Sequence, residues 1–121
     1  EIISPEKKIL KSEAPEVTIP SFEGQMGILK DHIPLITFLR PGIISIKNSD
    51  EKKYFVEEGT VEFSKNNLLI LSSSAKDLSS LSKKFINEML GQAESKFQEN
   101  NLSDKEKYLA SYKINTLKEI N

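Results

Sequence analysis

Residues 60–97 read TVEFSKNNLLILSSSAKDLSSLSKKFINEMLGQAESKF, and the spacing of apolar side chains changes within this stretch. At its start, Val61 and Phe63 alternate with polar residues, which is the period of a strand with one buried face. From Asp77 onward, apolar residues recur at steps of three or four, which is the period of a helix. We therefore expect a β region up to residue 76 and a helical region from 77 to 121. The predicted stripe of the first helix is Leu78, Leu81, Phe85, Met89, Ala93 and Phe97.

The segments up to about Ala75 have the composition of short strands. They are rich in branched and aromatic side chains, and turn signals separate them. All five prolines and four of the five glycines lie in this first part, which places the turns there. Many short strands at regular spacing favour a sandwich or a barrel. The clearest strand segments are 2–3, 17–19, 43–46, 54–56 and 68–71.

The segment after residue 101 begins a second helix. Ser103 and Glu106 have the spacing of a capping box, in which each side chain accepts from the other residue's amide. The apolar stripe that follows contains Leu109, Tyr112 and Leu117. Two amphipathic helices with a short polar connection predict an antiparallel hairpin. Helices of this length are marginal alone in water, so each stripe must cover the other helix, the β region or a partner.

Composition excludes several classes of function. The chain has 121 residues and a formal net charge of −1, so it has no electrostatic footprint for nucleic acid or anionic lipid. It contains no cysteine and one histidine, His32, and no nucleotide loop, nucleophile elbow or metal-ligand spacing. No apolar run is long enough to cross a bilayer. We expect no catalytic residues and no metal. A free-standing β-sandwich interaction module with a structural hairpin remains the alternative.

Six motifs carry a family resemblance, through their order and position ahead of the helical hairpin. They are Ile2-Ile3-Ser4-Pro5, Glu23-Gly24-Gln25-Met26-Gly27-Ile28-Leu29, His32-Ile33-Pro34-Leu35-Ile36-Thr37, Pro41-Gly42-Ile43-Ile44, Glu58-Gly59 and Leu71-Ser72-Ser73-Ser74-Ala75. With them the chain resembles the epsilon subunit family of bacterial F-type ATP synthases, which is homologous to the mitochondrial delta subunit. The resemblance implies an α+β fold in the order β then α. A flattened ten-stranded antiparallel β-sandwich, residues 1–76, precedes a regulatory antiparallel α-helical hairpin, residues 77–121.

The resemblance also implies a role and a place. A member of this family is a non-catalytic rotor subunit of the central stalk, which couples the gamma subunit to the c-ring during ATP synthesis driven by the proton-motive force. Its mobile C-terminal helices inhibit ATP hydrolysis by extending toward the alpha/beta catalytic head. The expected location is peripheral, at the cytoplasmic face of the bacterial inner (plasma) membrane. Contact with the membrane would be indirect, through the complex.

The resemblance assigns contact residues near the start of the chain. The segment 23–27 corresponds to the family loop that touches the c-ring, and its two glycines allow a tight, exposed turn. The alternative is a hairpin turn without a partner, and for His32 a structural turn. Gamma contact is expected from part of the apolar patch Leu35, Ile36, Phe38 and Leu39, most of which should belong to the core. The expected c-ring contacts are Glu23, Gln25, Met26, Gly27 and His32, and the expected gamma contacts are Leu35, Phe38 and Leu39.

Four lysines of the second helix are candidates for inhibitory contact with the catalytic head. The alternative is a solvated face on which Asp104, Glu106 and Glu119 balance their charge. The lysines are Lys105, Lys107, Lys113 and Lys118.

Some members of the family bind ATP through an Ile/Leu-Asp-x-x-Arg-Ala motif at the base of the hairpin. The corresponding segment, residues 81–86, has Ser82 in place of the aspartate and Phe85 in place of the arginine. Without a guanidinium it lacks the bidentate phosphate contact. We therefore expect ATP binding to be weak or absent, and no other cofactor.

Overall fold

A computed structural model describes residues 2–3, 8–10, 16–29, 34–47, 51–64 and 67–120. Within these residues ten strands precede two helices, which confirms the α+β order and the sandwich followed by a hairpin. The strands are β1 Ile2–Ile3, β2 Lys8–Leu10, β3 Glu16–Ser21, β4 Gly24–Leu29, β5 Leu35–Leu39, β6 Gly42–Lys47, β7 Glu51–Val56, β8 Gly59–Ser64, β9 Asn67–Leu71 and β10 Lys76–Asp77. A 3₁₀ helix Leu78–Ser80, α1 Lys83–Phe97 and α2 Asp104–Ile120 follow.

The strands form one hydrogen-bonded path in the order β10-β7-β6-β3-β5-β8-β9-β1-β2, with β4 on the other edge of β3. At the centre, β3 pairs with β6 over Glu16–Thr18 and with β5 at Ser21. Residues from both arms of this path meet in one core cluster, so the arms face each other as the two layers of a sandwich.

One pairing departs from the expected antiparallel arrangement. β1 runs parallel to β9, with Ile2 opposite Ile70, while it pairs antiparallel with β2. A parallel neighbour requires a long connection, and here nearly the whole sandwich lies between the two strands. The first strand therefore joins the sheet through a distant part of the chain.

The sandwich core is built from alternating side chains of both layers. Ile19, Ile44, Val61 and Ile70 are all 0% exposed. Each lies on a strand whose neighbouring side chains point to the other face, as the period-2 pattern predicts. Burial of these branched side chains is the main term that stabilises the β region.

β7 is the strand that connects the sandwich to the hairpin. Tyr54 and Val56 belong to the sandwich core, whereas Phe55 between them faces the opposite side and is also fully buried. Phe55 packs in a second cluster with Ile86 and Ala93 of α1 and Leu117 of α2. The hairpin is therefore docked on the outer face of β7, where it covers an apolar side chain that would otherwise be exposed.

The helical region expected from residue 77 is divided into separately capped pieces. The Asp77 side chain accepts from the Ser79 amide at 2.9 Å and begins the 3₁₀ helix, and Ser82 accepts from the Phe85 amide and begins α1. The predicted capping box of α2 is confirmed, because Ser103 accepts from the Glu106 amide at 3.1 Å and Glu106 accepts from the Ser103 amide at 3.2 Å.

Candidate interaction surfaces

The turn between β3 and β4 presents polar side chains at one end of the sandwich. It is shorter than the predicted turn over 23–27, because only Phe22 and Glu23 connect the paired Ser21 and Gly24. The Ser21 hydroxyl accepts from the Glu23 amide at 3.2 Å and donates to the Gly24 carbonyl at 2.8 Å. Gly24 has a φ of 123°, which a residue with a Cβ rarely adopts. The second glycine, Gly27, lies within strand β4.

The strand that follows this turn is an edge strand among the described residues, since β4 pairs only with β3 there. Glu23 in the turn and Gln25 and Gly27 along the strand are exposed, while Met26 is half-buried against the sandwich core. An edge strand with exposed polar side chains can accept a partner through its backbone and its side chains. His32, the fifth residue predicted for this surface, lies outside the described residues.

A second surface is the outer face of β5, β8 and β9. Ile36 and Phe38 are 74% and 60% exposed, and Leu71 is 44% exposed. Register places Phe38 opposite Thr60 on β8, and Thr60 opposite Leu71 on β9, so these side chains lie across one face. Three large exposed apolar side chains on one sheet face are a feature of a protein contact surface. We call Ile36, Phe38 and Leu71 the apolar face.

The alternation of β5 separates the three residues predicted for gamma contact. Leu39 is buried in the sandwich core and Leu35 is half-buried against it, because both lie on the inner side of the strand. Of the predicted set, Phe38 alone is presented on the apolar face. Ile36 and Leu71 were not included in that set, and strand alternation was the signal that could have found Ile36.

The predicted hairpin stripe is only partly the buried stripe. Leu117 is fully buried, and Leu78, Leu81 and Met89 are half-buried against the second cluster. Phe85, by contrast, is 40% exposed, and Ile86 takes the buried position. The reason is that α1 begins at Lys83, so Leu78 and Leu81 precede the helix and do not set its buried face. Of the other four stripe residues, Ala93 is buried and Phe97 is 38% exposed on α1, and Leu109 and Tyr112 are half-buried on α2.

The N-terminal half of α2 docks through aromatic and charged side chains. The Arg40 guanidinium carbon lies 3.9 Å from the centroid of the Tyr112 ring, and Tyr108 and Tyr112 meet edge to face at 4.9 Å. Tyr108 also stacks on Phe22, with centroids 5.8 Å apart and planes at 14°. These contacts join α2 to the β3–β4 turn and to the end of β5. We call Phe22, Arg40, Tyr108 and Tyr112 the aromatic corner.

The four lysines predicted for inhibitory contact have two different environments. Lys105, Lys107 and Lys118 are exposed on α2. Lys113 is half-buried, and its Nζ lies 2.6 Å from Glu57 Oε1 in the turn between β7 and β8. In this docked arrangement Lys113 therefore serves the contact between hairpin and sandwich.

Asp77 and Tyr54 lie where the sandwich meets the hairpin, and their surroundings shift the pKa of each. The Ser79 amide and then the Ser79 hydroxyl lower the pKa of Asp77, which keeps its carboxylate charged. Burial raises the pKa of Tyr54, and the charge of Asp77, opposite it in the sheet, adds to the rise. Both groups keep their usual charge at neutral pH, so neither of them titrates there.

Residues 81–86, the segment in which we expect ATP binding to be weak or absent, contain the N-terminal cap of α1. Ser82 is the N-cap of α1, and Lys83 and Lys84 after it are exposed. Across the described part of the chain no cluster of three or more His, Cys, Asp or Glu side chains could hold a metal ion. Neither do the described helices include one with the length and apolarity needed to span a membrane.

Comparison with known proteins gives the class. The family model for the ATP synthase Delta/Epsilon chain β-sandwich domain matches residues 1–77. The fold also resembles a chain in a mitochondrial ATP synthase complex of Euglena gracilis that contains OSCP, F1 and the c-ring. The TM-score is 0.72 at 21% identity, covering 95% of this chain and 73% of that one. A central stalk and c-ring structure from Tetrahymena thermophila gives a TM-score of 0.65 at 16% identity, covering 98% and 91%.

Sequence relatives agree with this class. The chain is 49% identical over 123 aligned positions to the ATP synthase epsilon chain of Pelagibacter ubique, which covers all of this chain and 95% of that relative. It is 41% identical over 78 positions to the mitochondrial ATP synthase subunit delta of Schizosaccharomyces pombe, covering 62% and 47%. The chain therefore belongs to the ATP synthase delta/epsilon family. The Pelagibacter ubique relative, which aligns with all of this chain, is named an epsilon chain.

Proposed function

We propose that this chain is a non-catalytic subunit of the rotor stalk of an ATP synthase. The proposal rests on its family, and on the full-length similarity to an epsilon chain. One observation carries it further: a well-packed sandwich leaves Ile36 and Phe38 mostly exposed beside Leu71. A rotor subunit needs a dry, permanent contact, and an apolar sheet face supplies one.

In this proposal the apolar face binds the gamma subunit. A groove continues this face toward α2 and is lined by Phe22, Phe38, Leu71 and Leu109. A partner side chain seated in the groove would contact both the sandwich and the docked helix. The β3–β4 turn and strand β4, which present Glu23 and Gln25, would bind the c-ring. The location follows from these partners, at the cytoplasmic face of the bacterial inner membrane and attached through the complex.

The hairpin is the proposed regulatory element. Docked on Phe55 it leaves the catalytic head free, and released from the sandwich it would extend and obstruct ATP hydrolysis. The exposed Lys105, Lys107 and Lys118 would then contact the head, together with the freed Lys113. We also propose that ATP binding at residues 81–86 is weak or absent. Titration of the full chain with ATP tests this point, and saturable binding in the micromolar range would refute it.

Co-purification with gamma and the c-ring tests the stalk assignment. Phe38→Ser should reduce recovery of the chain with gamma by about tenfold or more, because it removes a central apolar contact. Phe97→Ser is the matched control, since Phe97 is 38% exposed on α1 and does not line the groove that continues the apolar face. Equal recovery of both variants would show that the apolar face is not the contact with gamma. Failure of the unmodified chain to join the complex would favour the free-standing interaction module.

Hydrolysis by the assembled complex tests the regulatory role. Leu117→Ala weakens docking of the hairpin, so it should shift the hairpin toward the released state and lower the rate of ATP hydrolysis. A chain that ends at residue 76 has no hairpin, so its complex should hydrolyse ATP faster while it still assembles. If both changes leave hydrolysis unaltered, the hairpin has only a structural role.

A further inference from the structure

The aromatic corner holds α2 by a different kind of contact from the second core cluster. Near the C-terminal end of α2, Leu117 is buried against Phe55. Near its N-terminal end, the Arg40 guanidinium lies over the Tyr112 ring, and Arg40 Nη1 donates a long hydrogen bond of 3.4 Å to the Tyr108 hydroxyl. Arg40 Nε is buried and has no hydrogen-bond partner among the described residues. The guanidinium is thus held by the face of the Tyr112 ring, which attracts it through its quadrupole, and by the long hydrogen bond to the Tyr108 hydroxyl.

Backbone hydrogen bonds connect the aromatic corner to both proposed contact surfaces, the β3–β4 turn and the strand β5 of the apolar face. The Phe22 amide donates to the Phe38 carbonyl at 3.1 Å, and the Arg40 amide donates to the Pro20 carbonyl at 2.9 Å. Phe22 is the first residue of the β3–β4 turn, and the Phe38 side chain lies on the apolar face. A change at the Phe22 ring can therefore reach the turn and the end of β5 through adjacent backbone hydrogen bonds.

Tyr108 joins the helix to this corner. Its ring stacks on Phe22, and its hydroxyl donates a long hydrogen bond of 3.5 Å to the Phe22 carbonyl. Both contacts exist only while α2 is docked, because Tyr108 and Phe22 are separated by 86 residues of chain. The docked helix therefore covers the β3–β4 turn from one side, while Glu23 and Gln25 remain exposed.

We propose that the aromatic corner acts as a latch. While the hairpin is docked, it holds α2 on the sandwich and restrains the β3–β4 turn. Release of the hairpin then loosens the turn that carries Glu23 and leads into Gln25 of β4. A partner that orders this turn favours the docked hairpin, since coupling between two sites is reciprocal. The identity of that partner as the c-ring rests on the proposed function. The latch itself is a property of the chain alone.

Hydrogen exchange of the full chain in isolation tests the latch. Tyr108→Ala should increase exchange of the Glu23 amide, which bonds to the Ser21 hydroxyl, by about tenfold, given the size of aromatic and cation–π contacts. Arg40→Met should act in the same direction, because it keeps the aliphatic stem and removes the charge. Tyr108→Phe should retain most of the protection, since it preserves the stacked ring. Phe97→Ala is the control aromatic change and should leave the Glu23 amide unaffected.

A double-mutant cycle separates a latch from two independent effects. Leu117→Ala releases α2 without touching the aromatic corner, so it should also speed exchange at Glu23. In the Tyr108→Ala background, Leu117→Ala should increase exchange of the Glu23 amide only slightly, because the contact between α2 and Phe22 is already lost. Unchanged exchange in Tyr108→Ala, or fully additive effects of the two changes, would overturn the proposal. No partner subunit is present in this experiment, so its failure leaves the stalk assignment standing, and failed co-purification leaves the latch standing.

Discussion

Lys113 of α2 forms an ion pair with Glu57 of the β7–β8 turn, with Nζ 2.6 Å from Oε1. The turn is prepared for this contact, because the Glu57 amide donates to the Ser74 hydroxyl at 2.9 Å and the Ser72 hydroxyl donates to the Glu58 carbonyl at 2.7 Å. The side chains of Lys113 and Glu57 are 28% and 34% exposed, so the pair is partly shielded from water. It is one of the few charged contacts between hairpin and sandwich that the described residues show.

Breaking this pair should weaken hairpin docking modestly. A double-mutant cycle of Glu57→Gln and Lys113→Met should give a coupling free energy of about 1 kcal/mol at low salt, because the pair is only partly screened. The coupling should shrink as salt is added. Hydrogen exchange of the α2 amides measures it. Lys107→Met, at an exposed position of the same helix, should show no coupling to Glu57→Gln. A salt-independent coupling would contradict the ionic origin.

The capping box of α2 should make helix stability depend on acidic pH. The Ser103 amide and then the Ser103 hydroxyl lower the pKa of Glu106 from its usual value of 4.5. A lowered folded-state pKa means that the unfolded chain binds the proton more readily. The stabilisation is therefore complete above the unfolded pKa, and it is lost as pH falls through the folded pKa.

Glu106→Gln isolates this contribution, because glutamine can occupy the capping box but does not titrate. Helix content by circular dichroism should fall less steeply below pH 4.5 in Glu106→Gln than in the unmodified chain. Other carboxylates titrate in both proteins, so the difference between the two curves reports Glu106. Superimposable curves would show that the contact does not persist in solution.

Gly59 should be less replaceable than Gly24, although both have a positive φ. A Cβ on Gly59 would lie 2.4 Å from the Leu71 carbonyl oxygen, whereas a Cβ on Gly24 would meet nothing within 4 Å. Gly24→Ala therefore adds backbone strain alone, at about 1 kcal/mol, and Gly59→Ala adds a backbone clash for a total of about 3 kcal/mol. Urea unfolding of the two variants measures the difference. Equal losses of unfolding free energy in the two variants would mean that the backbone around Gly59 moves to relieve the clash.

Leu117 should matter more than Phe85, although both belong to the predicted hairpin stripe. Leu117 is 0% exposed and Phe85 is 40% exposed. Leu117→Ala should lower the free energy of unfolding of the helical region by about 3 kcal/mol, because it leaves a cavity beside Phe55. Phe85→Ala should cost about 1 kcal/mol or less. Denaturation followed by helical circular dichroism gives both values, and a reversed order would mean that Phe85 is the buried residue in solution.

The sequence predicted the features that depend on neighbours along the chain. Val61 and Phe63 alternate into the core as their period required, and the Ser103–Glu106 capping box forms as its spacing required. Caps and periods are readable because every participating atom lies within a few residues. Placement of the buried stripe in α1 was less accurate. It depends on the residue at which the helix begins, and Ser82 sets that start.

The amino-acid order by itself therefore determined a β region followed by two capped amphipathic helices. It also carried a family resemblance that the comparisons confirm. The tertiary structure decided which surfaces these elements present. Only the folded chain shows that the hairpin covers Phe55, that Phe38 faces outward while Leu39 faces inward, and that Arg40 meets Tyr112. The physical reason is distance along the chain. Arg40 and Tyr112 belong to different elements, and their contact depends on how the helices dock on the sandwich, which no local pattern encodes.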